Sequence, residues 1–162
     1  MEIVKLGDIV NNLNNRRKPL NNIERASMKE KGLYPYCGAN GILDYIDDYI
    51  FDEEILCIAE DGGNWGFKSK CCYIMNEKCW VNNHAHVVTA KEGVILKYLY
   101  YYLNYTDLSN KITGTTRGKL TKADLESIEV LLPSLQSQNK IVNTLDKAQF
   151  LIDKRKEQIK EC

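Results

Sequence analysis

Short apolar runs separated by Gly, Asn and charged residues occupy the middle of the chain. The runs at 55–59, 71–75 and 84–89 are rich in residues that favour strands, and they are too short for typical helices. They predict strands that pair into a sheet. The segment 94–103, VILKYLYYYL, lacks alternation and follows Gly93, which predicts a buried helix. Its tyrosines favour core packing, with base stacking or phosphate contact as the alternative.

After Pro133 the apolar positions recur at alternating spacings of four and three residues, with no Pro or Gly. Ser134 is a suitable N-cap, and about 28 helical residues would give a rod about 40 Å long. A repeating apolar stripe is normally buried against a partner helix, so we expect a second chain there; the alternative is a helix docked within its own domain. Arg155 interrupts the stripe and could set its register or pair with Asp153 or Glu157 of a second chain. The positions of the stripe are Ile141, Leu145, Ala148, Ile152, Arg155 and Ile159.

A basic loop, GTTRGKL at 114–120, stands directly before a predicted short helix. Thr121 and Asp124 form a variant of the capping box, which predicts a helix that begins at Lys122 and holds one end of the loop. Hydroxyl, guanidinium and ammonium groups donate to phosphate oxygens, and arginine also binds guanine through two hydrogen bonds. We therefore predict DNA contacts in this loop, with a merely solvated loop as the alternative. The predicted contact residues are Thr115, Thr116, Arg117 and Lys119.

Four further segments carry side chains suited to DNA. The polar stretch NNLNNRRKPLNN at 11–22 predicts a loop with an exposed basic triplet, and three other candidates, Asn40, Asn64 and Trp65, lie beside flexible glycines in two segments. The segment WVNNHAHVV at 80–88 places adjacent amides and two histidines at the end of a strand-like run; in an extended strand, His84 and His86 would share one face. The alternative for this segment is framework or core histidines. The further predicted contacts are Arg16, Arg17, Lys18, Asn40, Asn64, Trp65, Asn82, Asn83 and His84.

The formal net charge is zero, which argues against a uniformly basic surface for nucleic acid. The distribution is uneven, because residues 36–67 hold eight acids and no base, whereas residues 68–122 hold nine bases and three acids. This pattern predicts a basic face for phosphates beside an acidic face, with a mixed surface as the alternative. The acidic pair Glu60–Asp61 precedes Gly62–Gly63, which favours a hairpin turn over an acid–base couple.

The six cysteines have neither metal-ligand spacing nor a secretory context, so no metal or cofactor is predicted. Cys79 with His84 or His86 could imitate a nucleophile and its base, but no third group or oxyanion loop is recognisable. No apolar run approaches the roughly 18 residues that span a bilayer, and no basic-then-apolar leader opens the sequence. A cytoplasmic protein with no membrane partner is expected. Buried free thiols are predicted at Cys37, Cys57, Cys71 or Cys72, and Cys79.

Several segments, taken in this order, resemble the specificity subunit of type I restriction-modification systems, and the resemblance runs nearly from end to end. It implies an α+β fold, in which a mixed α/β target-recognition domain with short strands spans 1–132 and a coiled-coil-type dimerisation and spacer helix spans 133–162. The segments are KLGDIV at 5–10, YPYCGANGILDYIDDYIF at 34–51, EDGGNWG at 60–66, WVNNHAHVV at 80–88, GTTRGKLTKADL at 114–125 and the helical region at 131–159.

The resemblance also implies a function. In this family each target-recognition domain binds one half of a bipartite double-stranded DNA site, and long helices set the distance between the halves. The subunit is itself non-catalytic, and it recruits modification subunits that methylate adenine and, through them, the restriction subunit. The usual subunit has two such domains, whereas this chain has one, so we expect a half-length form that pairs with a second copy or another half-subunit.

Two other functions remain open from the sequence. One is a protein-interaction module or remnant that binds modification subunits without productive DNA recognition. The other is an enzyme that uses Cys79 and a histidine. The sequence carries neither an Asn-Pro-Pro-aromatic methyltransferase motif nor a phosphate-binding Gly-Lys loop, so a non-enzymatic protein is expected.

Overall fold

Three small β-sheets and five α-helices make up the fold. The computed structural model describes residues 1–162. The strands are β1 (Glu2–Lys5), β2 (Val10–Asn12), β3 (Tyr34–Gly38), β4 (Gly41–Ile46), β5 (Ile55–Ala59), β6 (Cys72–Met75), β7 (Trp80–Val81), β8 (Ala85–Ala90) and β9 (Glu129–Leu132). The α-helices are α1 (Leu6–Ile9), α2 (Asn22–Ser27), α3 (Leu96–Asn104), α4 (Lys122–Glu126) and α5 (Leu135–Glu161).

The central sheet is antiparallel, with the strand order β2-β8-β5-β6. The three apolar runs that predicted strands correspond to β5, β6 and β8, so this prediction is confirmed. Every residue of β5 is buried, which accounts for its lack of alternation. Its side chains still point to two faces: Leu56 and Ile58 lie in one apolar core, and Ile55 and Cys57 lie in the other.

The other two sheets close the domain on either side. In the three-stranded sheet, β3 pairs antiparallel with β4 and parallel with β7, and its Cys37 lies in the core that contains Cys57. In the two-stranded sheet, β1 pairs antiparallel with β9, so that Glu2 lies opposite Leu132. The beginning of the described chain is therefore joined to the segment that leads directly into α5.

Five cysteines are buried as free thiols, and Cys162 is exposed; both Cys71 and Cys72 are buried, whereas the sequence predicted one of the two. Burial raises the pKa of the Cys57 thiol above its usual range. A hydrogen bond with Cys37 lowers the pKa of Cys79. No ring nitrogen of either histidine bonds the sulfur of Cys79, because these nitrogens bond Asp61, Asn14 and Leu120 instead.

The tyrosine-rich segment forms α3, and the prediction of a buried helix is confirmed. Tyr98 and Tyr101 are buried, and the hydroxyls of Tyr98 and Tyr102 donate to the carbonyls of Leu131 and Glu129 in β9. These two hydroxyls thus join α3 to β9 by hydrogen bonds within the domain. The predicted start of α4 at Lys122 is also confirmed, since the Thr121 side chain accepts a hydrogen bond from the Asp124 amide at 3.1 Å.

Helix α5 is long and uninterrupted, as predicted, and Ser134 caps it by accepting a bond from the Ser137 amide at 3.2 Å. Its first half docks on α3, where the Tyr101 hydroxyl donates to Asp146 at 2.5 Å and Lys97 lies 2.9 Å from the same carboxylate. Burial acts to raise the pKa of Asp146, but the Tyr101 and Lys97 donors outweigh it and lower the pKa. From residue 151 to 162 every residue is exposed, so the second half projects from the domain.

The segment 11–22 is more ordered than its polar composition predicts. It contains β2, a 3₁₀ turn at Asn14–Arg16 and the cap of α2. The cap is a full capping box, in which Asn21 and Glu24 each bond the backbone amide of the other at 2.8–2.9 Å. The loop prediction is therefore wrong for Asn11 and Asn12, which belong to β2, and holds for residues 17–21, which form no helix or strand. No helix of the structure combines the length and apolarity needed to cross a bilayer.

Candidate nucleic-acid interface

The predicted basic loop forms a small hairpin that stands out from the domain. Thr113 and Lys119 pair through two backbone hydrogen bonds of 2.9 and 2.8 Å, and the tip between them is exposed. The return arm is held against the end of β5, because the Leu120 amide donates to the Glu60 carbonyl at 2.7 Å. All four residues predicted to contact DNA in this loop are exposed: Thr115, Thr116, Arg117 and Lys119.

Asp61 joins this hairpin to two other parts of the chain. Its Oδ1 atom lies 3.2 Å from Nη2 of Arg117 and 2.6 Å from Nδ1 of His84. Asn40, in the turn between β3 and β4, donates from Nδ2 to the Gly62 carbonyl at 3.1 Å. Three predicted contact residues that are far apart in the sequence therefore meet around Asp61 and Gly62.

The guanidinium group of Arg117 lies directly over Gly62. A Cβ atom added at Gly62 would stand 2.5 Å from Nη2 of Arg117, and the φ angle of +64° favours glycine there. Despite these contacts the Arg117 side chain is 62% exposed. One edge of the guanidinium is thus engaged by Asp61, and much of the group remains available to a ligand.

Arg17 lies below this surface. Its Nη1 atom is 3.0 Å from Oε2 of Glu60 and 2.9 Å from the Ala85 carbonyl, and only 15% of its side chain is exposed. The prediction of an exposed basic triplet is therefore wrong for Arg17, because a half-buried carboxylate and carbonyls hold it. Its neighbours are exposed: Arg16 pairs with Glu53 at 2.5 Å, and Lys18 makes no ion pair.

The acidic pair Glu60–Asp61 has a role that the hairpin-turn prediction missed. Each carboxylate contacts side chains of other segments: Glu60 accepts a hydrogen bond from Arg17, and Asp61 forms an ion pair with Arg117 and a hydrogen bond with Nδ1 of His84. The signal available in the sequence was the position of two acids immediately after a wholly apolar strand. That position places both carboxylates just beyond the end of β5, an interior strand, where donors from neighbouring loops converge.

The two histidines do not share a face, contrary to the prediction. His84 stands in a turn before β8, where its amide donates to the Asn82 side chain at 2.9 Å, whereas His86 is fully buried within β8. Nε2 of His86 donates to the Leu120 carbonyl at 2.6 Å, and Nδ1 accepts from Asn14 at 2.9 Å. Burial lowers the pKa of His86, although the Leu120 carbonyl and Glu60 act to raise it. His86 is thus a neutral core residue, and it supports the hairpin from below.

Two of the predicted contact residues are buried. Trp65 is 7% exposed, its Nε1 donates to the Ala59 carbonyl at 3.1 Å, and its ring packs beside Gly118 of the hairpin. Asn82 is 5% exposed and caps the turn at His84. Both residues build the support for the surface rather than the surface itself. The exposed amides in these segments are those of Asn64 and Asn83.

The acidic and basic blocks of the sequence meet at this site. Arg117 belongs to the basic block and Asp61 to the acidic block, yet the two side chains form an ion pair. The predicted separation into two faces fails here, because the return arm of the hairpin pairs with the residues that follow β5: Leu120 donates to Glu60, and Lys119 lies opposite Asp61.

A second surface follows the predicted apolar stripe of α5. Ile141, Ile152 and Ile159 are 37%, 47% and 65% exposed, and Ala148 and Arg155 are also exposed. Only Leu145 is half-buried, since the docked side of the helix is centred on Gln138 and Val142. An apolar groove of about 280 Å³ runs beside the stripe, lined by Tyr98, Tyr101, Tyr102, Tyr105, Ile141 and Leu145.

Comparison with known proteins gives consistent matches. The family model described as the type I restriction modification DNA specificity domain matches residues 1–161. Over 141 residues the chain is 38% identical to a type I restriction enzyme specificity subunit of Haemophilus influenzae, covering 87% of this chain and 35% of that protein. Over 127 residues it is 28% identical to the EcoprrI specificity subunit of Escherichia coli, covering 78% and 30%. The chain spans about a third of the length of these curated relatives.

Solved structures share the fold. The S subunit of a type I restriction-modification system from M. genitalium superposes with a TM-score of 0.73 at 15% identity, covering 97% of this chain and 40% of that one. The HsdS subunit of Thermoanaerobacter tengcongensis gives 0.64 at 19% identity, covering 97% and 39%. The predicted fold class, α+β with a long C-terminal helix, is confirmed.

Proposed function

The chain belongs to the type I restriction modification DNA specificity family, and from that premise we propose that it recognises one half of a bipartite double-stranded DNA target. The observation that carries the proposal is the surface around Asp61, where an exposed and well-anchored hairpin places Arg117 beside His84 and Asn40. Specific readers of DNA combine donors for phosphates with side chains held against base edges, and this surface offers both.

The contacts divide by chemistry. Lys119 and Lys18 are exposed ammonium groups without an ion-pair partner, and the hydroxyls of Thr115 and Thr116 are exposed at the hairpin tip. These groups are suited to phosphate oxygens, which fix the protein's position on the duplex without reading sequence. Arg117, Asn40, Asn64, Asn83 and His84 are the candidates for base edges. Arg16 is a weaker candidate for phosphate, because Glu53 already neutralises it.

We assign DNA recognition to residues 1–132 and partner binding to the helix at 133–162. The exposed stripe of α5 and its adjacent groove offer apolar area for a partner helix, and pairing with a second copy would place two recognition domains on an inverted-repeat target. In this proposal the chain performs no catalysis. It recruits modification subunits that methylate DNA and, through them, the restriction subunit.

Binding of the full chain to a mixed pool of duplex DNA, measured between about 50 and 200 mM salt, tests the DNA proposal. Each phosphate contact contributes about 0.9 to the slope of log K against log salt, so Lys119→Ala should lower the slope by about that amount. Lys160→Ala, at the exposed end of α5, is the matched control and should leave the slope unchanged. An absence of duplex binding by the unaltered chain would contradict the proposal.

The exposed half of α5 favours a second candidate function, a module that binds modification subunits without recognising DNA. Sedimentation of the chain, alone and mixed with modification subunits, separates the two candidates when it is combined with the binding assay. Complex formation together with salt-dependent duplex binding supports a recognition subunit. Complex formation without duplex binding supports the interaction module.

A further inference from the structure

We propose that Asp61 is a specificity-determining positioning residue, which holds Arg117 so that its guanidinium binds a guanine edge rather than a phosphate. The inference rests on the proposed function and deepens it, because it names a G·C pair as the element that this side chain recognises. Asp61 itself need not touch the DNA. It acts through Arg117.

The position of Arg117 is restricted on three sides. Oδ1 of Asp61 forms an ion pair with Nη2 at 3.2 Å, the backbone of Gly62 lies against the guanidinium, and the hairpin holds the Cα atom. A free arginine on a flexible stem is drawn to the nearest phosphate, where charge matters and direction matters little. An arginine whose charge is partly balanced, and whose stem is immobilised, loses that advantage at phosphate while it keeps its directed N–H donors for base atoms.

The support of the hairpin is itself well packed. The Gly62 amide donates to the Gly118 carbonyl at 3.4 Å, and a Cβ added at Gly118 would meet Ile112 and Trp65 at 2.9–3.0 Å. The hairpin therefore sits close against the buried Trp65 ring and has little room to shift. A guanidinium held on such a rigid hairpin meets the duplex with its direction already set, and a fixed direction is the condition for discrimination between the edges of the nucleobases.

His84 completes the arrangement from the opposite side. Its Nδ1 atom donates to the same Oδ1 of Asp61 at 2.6 Å, and the turn that carries His84 is fixed by Asn82. The carboxylate is thus oriented between two donors and cannot follow the guanidinium away from the domain. This arrangement favours a stationary partner for Arg117 over a mobile surface ion pair.

Selection of preferred sequences from a random duplex pool by the full chain, followed by affinity and salt measurements, tests the inference with three variants. Asp61→Asn should release Arg117 to phosphate, so that preference for one G·C position falls about tenfold while the salt slope rises by about 0.9. Arg117→Lys should lose the same preference, because an ammonium lacks the two parallel donors. Lys119→Ala should weaken all sequences equally and keep the preference.

Arg117→Lys guards against a folding artefact, since the side chain is 62% exposed and the charge is retained. The inference is overturned if either Asp61→Asn or Arg117→Lys keeps the unaltered preference at every position. It is also overturned if Asp61→Asn weakens all positions uniformly without a steeper salt slope. Failure of the proposed function looks different, because the unaltered chain would then select no sequence at all, and the inference would fall with it.

Discussion

Replacing Gln138 with Ala should destabilise the protein more than replacing any other residue of α5 with Ala. Gln138 is fully buried, and of the 27 residues in this helix only Gln138 and Val142 are buried. Its Oε1 accepts from the Ile95 amide at 2.9 Å, and its Nε2 donates to the carbonyls of Gly93 and Pro133, each at 3.0 Å. One side chain thus joins α5 to the segment that precedes α3.

The expected cost can be worked from these contacts. Three hydrogen bonds at about 1 kcal/mol each give about 3 kcal/mol, and the Ile95 amide is left without its acceptor, which adds to the loss. The better helix propensity of Ala returns only a few tenths of a kcal/mol. We therefore expect the free energy of unfolding to fall by about 3 kcal/mol.

Urea denaturation at a fixed protein concentration, followed by the fluorescence of Trp65 and Trp80, measures this loss. Asn139→Ala is the matched control, because Asn139 is the exposed neighbour on the same helix and its replacement should stay within about 0.5 kcal/mol. A loss below about 1 kcal/mol for Gln138→Ala would refute the reasoning, since it would mean that water replaces the three bonds at little cost.

Three further predictions follow from the packing around the two surfaces. Burial lowers the pKa of His86 below its ordinary 6.5, so on acidification the unfolded chain binds a proton before the folded chain does. The contribution of His86 to the free energy of unfolding should therefore be complete above about pH 6.5 and fall as the pH drops below it. His86→Gln should flatten this pH dependence in thermal melts between about pH 5 and 7. Gly62→Ala should lower the free energy of unfolding in urea by about 1 kcal/mol, because φ is +64° there. It should also weaken the preference for guanine, because the new methyl group displaces Arg117; an unchanged preference would contradict the geometry. Ile152→Asp should weaken self-association in sedimentation at least about tenfold and leave the free energy of unfolding nearly unchanged. Asn143→Asp, on the opposite side of the helix, should change neither self-association nor the free energy of unfolding, and equal association of the two variants would argue against the apolar stripe as the contact.

Local pattern was sufficient for most of the secondary structure. The apolar runs of β5, β6 and β8 and the long periodic helix α5 are visible in the sequence because burial on one or both sides dictates residue type at each position. The start of α4 at Lys122 follows from Thr121, because its side chain accepts a hydrogen bond from an amide of the first turn that has no partner within the helix.

The candidate site was harder to predict, because it depends on contacts between distant segments. The loop around Arg117 was visible from its composition, but its pairing with Asp61 depends on the bridge between Lys119 and Asp61 at the end of β5, which no local pattern encodes. Burial of Arg17 was missed for the same reason, since Glu60 lies far away in the sequence. The prediction that His84 and His86 share one face is wrong because His84 lies in the turn held by Asn82, and β8 begins only at Ala85.

The pairing of β1 with β9 also sets an order of events during synthesis. Glu2–Lys5 are made before the central sheet, but their partners Glu129–Leu132 are made only after it. At about 5–20 residues per second, the first strand waits several seconds with an unpaired edge. Because α5 follows β9 directly, β9 can pair with β1 only as α5 begins to emerge, so any contact made by the exposed half of α5 comes after the strands of all three sheets have been made.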